Sequence, residues 1–129
     1  MPKPPQSVRN NAKRGLELRK KFKRGGTQVG VSRARDLMNG KDIPLKTLNR
    51  MVSYFARHEV DKKGKNWGKL SDPSPGYIAW LLWGGDAGKR WAESQKKKLE
   101  AGSMGFTHKT ILLTKSKATR RYIGTEAKL

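Results

Sequence analysis

RARDLMNGKDIPLKTLNRMVSYFARHEVDKKGKNW, residues 33–67, and DPSPGYIAWLLWGGDAGKRWAES, residues 72–94, decide the fold of this chain. All 4 tryptophans lie in these two runs, with most of the apolar helix patterns, so a packed core must sit largely here. The clearest periodicity spans 45–58. Leu45, Leu48, Met51, Val52 and Phe55 recur at helical spacing on one face, and Lys46, Asn49, Arg50, Ser53 and Arg57 occupy the other. A helix over 45–58 follows. Tyr77–Trp83 is apolar nearly all round, which predicts a short helix buried from several sides, begun by Pro75 and ended by Gly84-Gly85. Asp86 then caps a further helix over 87 to about 99, with Trp91 turned to the core and Lys96, Lys97 and Lys98 at its dipole-favoured end.

Upstream, Val31, Ala34, Leu37 and Met38 predict a helix over 31–38, stopped by a left-handed residue at Asn39-Gly40. Asp42 caps the helix that follows, or Pro44 sits in its first turn with Ile43 as a staple. Val8, Ala12 and Leu16, with Phe22, mark another helix over 8 to about 24, capped by Ser7 and ended by Gly25-Gly26. Residues 60–74 read as a loop broken by Gly64, Gly68 and Pro73. The expected fold is all-α: a compact bundle of four to five short helices over 8–100. It carries an extended, flexible basic arm at 1–7 and a basic tail at 101–129. Phe106, Ile111-Leu112-Leu113 and Tyr122-Ile123 give that tail the spaced apolar residues of a segment that orders on a partner or docks loosely on the core.

The charge is the strongest functional signal. Among 129 residues, 30 Lys and Arg face 10 Asp and Glu, for a formal charge of +20 and a pI near 10.7. Such a chain repels itself unless a polyanion relieves it, and nucleic acid does so with gain from counterion release. No segment is long and apolar enough to span a membrane, so a membrane partner is not expected. No secretory leader is read at Met1-Pro-Lys-Pro-Pro, which lacks an apolar stretch. With 0 Cys, disulfides and thiolate metal sites are excluded.

The residues expected to meet phosphate are Arg9, Lys13, Arg14, Lys20, Lys21 and Lys23 on the first helix, with Arg33, Arg35, Lys41, Lys46 and Arg50 on the middle pair. Base readout, where it occurs, falls to Ser32, Arg33 or Arg35. The bland alternative for the first helix is a solvated basic face. Trp67, alone in its loop, is either a plug folded back on the core or a base-stacking platform.

Catalysis has thin support. His58, Glu59 and Asp61 sit together, but His108 is the one further histidine. Asp61-Lys62-Lys63 matches half of a nuclease metal motif, with Asp42 or Asp72 as a second carboxylate, yet no strand precedes it; pairing with Arg57, Lys62 or Arg50 is the simpler reading of Glu59 and Asp61. Gly84-Gly85-Asp86-Ala87-Gly88-Lys89 lacks the spacing of a phosphate loop and reads as a helix–helix turn. A non-enzymatic protein without cofactor or metal is the expectation.

Two resemblances add to this reading. QVGVSRARDLMNGKDIPLKTLNRMVSYF, residues 28–55, resembles the second half of repressor-type helix-turn-helix domains. That likeness implies Ser32, Arg33, Arg35 and Asp36 toward the major groove and Lys41 and Lys46 on phosphate, although Gly25-Gly26-Thr27 set the upstream helix at the wrong spacing. Over residues 8–94, VRNNAKRGLELRKKF, FARHEVDKKG and IAWLLWGGDAG resemble a small domain of tailed bacteriophages and prophages, found alone or appended to head-maturation proteases. The resemblance implies a phage-encoded protein working near DNA or the assembling head, in the host cytoplasm, the nucleoid or the virion. It carries no catalytic residues.

The expected partner is therefore DNA, with RNA not distinguished from it. The alternatives are a head-assembly or decorating protein bound to capsid or scaffold, and a modulator of a host protein. Oligomeric state is not legible.

Overall fold

A computed structural model describes residues 2–104, with side chains through Ala101. The described residues form five α-helices and no strand: α1 (Gln6–Phe22), α2 (Gln28–Met38), α3 (Leu45–His58), α4 (Pro75–Leu82) and α5 (Gly85–Met104), with one 3-10 segment, Glu59–Lys63, after α3. The all-α expectation holds. Through Gln95 the described residues make one compact unit.

The bundle is organised on α4. This helix is short because Ser74 caps it, accepting the Tyr77 N–H at 3.1 Å, and Trp83 closes it. Ile78, Trp80, Leu81 and Leu82 are all buried, as a helix apolar on every side requires. Each such side chain contributes about 1.5–3 kcal/mol when withdrawn from water. α1 buries Val8, Ala12 and Gly15 and packs on both α2 and α4, with Gly15 against α4. At Gly15 the backbones nearly touch: a Cβ there would stand 2.7 Å from the Leu82 nitrogen and 3.0 Å from the Leu81 carbonyl carbon.

α3 buries Leu48, Met51, Tyr54 and Phe55, with Leu45 and Val52 half-buried at the edges of its apolar stripe. Phe55 meets Trp80 edge-on with ring centroids 4.8 Å apart. α2 begins three residues earlier than its apolar spacing predicts, because the Thr27 hydroxyl accepts the Gly30 N–H at 3.2 Å and caps it there. It ends as expected at Asn39-Gly40: with Gly40 at φ 69°, its N–H reaches Leu37 O and that of Lys41 reaches Asp36 O.

Several expectations are corrected. Residues 2–5 are extended but not free: Pro4 is buried, the Ile43 N–H donates to Pro2 O at 2.8 Å, and Lys3 pairs with Asp42 at 2.9 Å. Asp42 therefore caps no helix, and α3 starts behind Pro44 without a side-chain cap. α1 begins at Gln6, so Ser7 lies inside it, and it ends when Lys23 turns left-handed at φ 55° ahead of the two glycines. Lys96–Lys98 do not close α5. The helix continues through Leu99, Glu100 and Ala101, all residues that favour helix. Trp91 is half-buried. The expected apolar docking segment, Phe106 to Ile123, lies outside the described residues.

The loop after α3 is pinned rather than open. Asn66, left-handed at φ 67°, donates to Asp72 at 2.8 Å, and Pro73 is buried. Trp67 lies edge-on to Tyr77 and Trp80, with centroids 5.2 and 5.6 Å away. Of its two readings, this geometry is that of the plug. Lys62 reaches both Asp86, at 2.9 Å, and Glu59, at 3.2 Å, while Trp80 Nε1 donates to Asp86 at 3.0 Å. That triangle ties the 3-10 segment to the first turn of α5.

Candidate nucleic-acid interface

Because α1 spends Val8, Ala12 and Gly15 on packing, the helical repeat turns Lys13, Arg14, Lys20 and Lys21 outward, and all four are exposed. Among the described residues none of them has a carboxylate within ion-pair distance, and Glu17 is the one acid on that face. At the end of α1 the chain doubles back: Arg19 Nε donates to Gly25 O at 3.0 Å. Arg19, Lys20, Lys23 and Arg24 then surround a hollow of about 490 Å³ floored by Gly25 and Gly26. Arg24 is held by Asp72 at 2.9 Å and by Pro73 O at 3.0 Å. Lys20 and Lys23 are exposed and have no ion-pair partner among the described residues.

Not every expected residue is on offer. Arg9 is half-buried, and its Nε donates to Met38 O at 3.2 Å, so it serves the C-terminal carbonyls of α2. The guanidinium lies against Gly40, where a Cβ would come within 3.2 Å of it. Arg33 departs furthest from expectation. Its side chain is only 13% exposed, its guanidinium lies 5.7 Å from the Trp83 ring centre, and Asp36 is 3.6 Å away. Its Nε is buried without a hydrogen-bond partner among the described residues. Burial pulls the Arg33 pKa down, with Arg50 adding to that pull and Asp36 opposing it. Groove reading by Arg33 is thus removed from the helix-turn-helix expectation, while Ser32 and Arg35 remain exposed on α2. Lys41 is exposed but leans on Asp36 at 3.5 Å; Lys46 and Arg50 are exposed on α3.

A second concavity was not foreseen. It encloses about 660 Å³ between the start of α2, the outer side of α3 and α4. Two rows of α3 line it at i, i+4 spacing: Asn49, Ser53 and Arg57, and beside them Arg50, Tyr54 and His58. Tyr54 lies flat against Trp83 (4.6 Å, 8°) and against His58 (4.5 Å, 28°). Burial drives the Tyr54 hydroxyl well above its ordinary pKa, with the Asp61 charge adding to the rise, and its oxygen has no hydrogen-bond partner among the described residues. The available signal was the Tyr54/His58 spacing, but nothing in the sequence pairs those residues with Trp83.

The acidic candidates are dispersed. Asp61 holds His58 Nδ1 at 3.0 Å, Glu59 holds Lys62, Asp42 holds Lys3 and Asp72 holds Arg24. Among the described residues no three His, Asp or Glu side chains gather as metal ligands. Gly84, at φ 108°, makes the turn between α4 and α5, and Gly85, at φ 66°, opens α5, so Asp86 lies inside that helix rather than ahead of it as a cap. No described helix is long and apolar enough to cross a membrane. Compared with protein-family profiles, with curated proteins and with solved structures, the chain finds no match.

Proposed function

We propose that this chain is a non-enzymatic, phage-encoded protein that binds DNA chiefly through its phosphates. The observation that carries the reading is the outer row of α1, Lys13, Arg14, Lys20 and Lys21, continued by Lys23 at the basic hollow. These are exposed ammonium and guanidinium groups on and at the end of one helix, and among the described residues none stands within ion-pair distance of a carboxylate. Arg35, Lys46 and Arg50 extend the supply of exposed cations on α2 and α3. The phage setting rests on the likeness of residues 8–94, and sequence preference, where present, rests with Ser32 and Arg35.

The test is a duplex titration over a range of salt. If about five phosphates are neutralised, log K falls against log salt with a slope of about −4 to −5. A slope near zero would sink the phosphate mechanism. Equal affinity for random and phage-genome duplexes marks a packaging or nucleoid-type binder; a marked preference assigns base reading to α2.

A further inference from the structure

We propose that the groove between α2, α3 and α4 accepts one unpaired base of single-stranded nucleic acid, stacked on His58, with the adjoining phosphate on Arg50 and Arg57. The inference deepens the proposed function and rests on it for the polymer, though not for the nucleotide unit itself.

Three features point to this ligand. The first is the ring column: Trp83, Tyr54 and His58 lie nearly parallel, and the imidazole is 40% exposed while Asp61 holds its Nδ1. A heterocycle laid on the open imidazole face would continue a stack already in place, and any base has a π-face to offer. The second is the polar row: Asn49 and Ser53 stand exposed one helical turn apart on the groove wall, with an amide and a hydroxyl available to a base edge. The third is the charge. Among the described residues Asp61 is the one carboxylate lining the groove and is already bonded to His58, whereas Arg50 and Arg57 are exposed and unpaired.

One loose end supports a ligand. Val29, 53% exposed, is an apolar side chain left in water on the facing wall, where a sugar or base would cover it. The volume, about 660 Å³, lies within the usual range for small-ligand sites of about 300–1,000 Å³. A stacked duplex offers no free base face, so the groove distinguishes single strands from double.

The test uses the full chain, a labelled oligothymidylate and a hairpin duplex of equal phosphate number. Charge density alone favours the duplex, since its salt slope per phosphate is the steeper. The expected result is the reverse, with the single strand bound about tenfold more tightly through base stacking. Ser53→Leu fills the groove and His58→Ala removes the platform; either should erase that preference and leave duplex affinity unchanged. Equal binding of both probes by the unaltered chain, or a preference that survives both substitutions, overturns the proposal. Adenosine monophosphate serves as a probe free of the polymer question, followed by amide NMR shifts. Shifts confined to the groove and lost in Ser53→Leu uphold the site even where duplex binding fails, a failure that would strike only the phosphate mechanism of α1. No such shifts overturn it.

Discussion

Gly15→Ala tests whether the cationic row stands on a helix locked to α4. In an isolated helix the change would be favourable, by about 1 kcal/mol, because alanine restricts the unfolded chain and glycine does not. Here the added methyl would meet the Leu82 nitrogen at 2.7 Å and the Leu81 carbonyl carbon at 3.0 Å. Both obstacles are backbone atoms, so no rotamer change can clear them. Restoring ordinary contact requires α1 and α4 to part by roughly 0.7 Å, a gap that forfeits about a quarter to a half of the dispersion energy of contacts along the seam. Overpacking of this kind costs about 1–3 kcal/mol, and a rigid obstacle places it at the upper end or beyond. Against the propensity gain, the net loss is about 2 kcal/mol, or a fall in Tm of about 8–16 °C for a domain of this size. Thermal unfolding by circular dichroism reads it directly, with Lys13→Ala, an exposed site on the same helix, as the control. A Gly15→Ala protein with unchanged or raised Tm would refute the close approach of the two backbones.

The other expectations are read in simpler assays. Ser74→Ala deletes the cap of α4 and should lower stability by about 1 kcal/mol in urea unfolding; no change would mean that the Tyr77 N–H finds another acceptor. Burial works to raise the Asp86 pKa, but hydrogen bonds from Lys62 and Trp80, with the Lys62 and Arg90 charges, outweigh it and hold the carboxyl below its ordinary 3.8. The stabilisation is therefore present above pH 3.8 and fades as pH falls through the lower folded value. Because the side chain is largely exposed, solvent screening limits the effect to well under about 1 kcal/mol. The Tm gap between the native chain and Asp86→Asn should close on acidification, and a gap constant down to pH 2 would contradict the sign. Lys20→Gln and Lys23→Gln should each reduce the salt slope of duplex binding by about 0.9, whereas Arg33→Met should leave that slope unaltered. A slope change in Arg33→Met equal to that of Lys20→Gln would return Arg33 to the interface.

How far the sequence reveals this arrangement depends on whether the deciding interaction is local. α3 is legible to the residue, Leu45 to His58, because one apolar stripe and one polar face fix both its existence and its orientation. The Schellman turn at Asn39-Gly40 and the Pro75 start of α4 are likewise set by backbone preferences that a residue carries anywhere. The outward row of α1 follows from the same periodicity. The helix starts are less legible: Thr27 and Ser7 are equally good caps by type, yet only Thr27 caps, because the docking of Pro2 and Pro4 places the entry to α1 upstream of Ser7.

The arginines mark the limit more sharply. Arg9, Arg14, Arg33 and Arg35 look alike in a basic chain, and charge alone assigns all four to phosphate. Their fates part by partner. Arg9 finds the open carbonyl end of α2, and Arg33 finds the face of Trp83, a residue fifty positions along. Arg14 and Arg35 are exposed and find no such partner among the described residues. An arginine stem is apolar enough to be drawn into a seam wherever an aromatic face or an open carbonyl is within reach. Which cations stay outside is therefore settled by tertiary neighbours rather than by helical position alone. The same holds for the groove: Tyr54 and His58 are neighbours by spacing, but Trp83 completes the column only because α4 crosses behind α3. On the proposed reading charge would draw this chain to a polyanion, while long-range packing decides which part of its cationic surface is left to meet one.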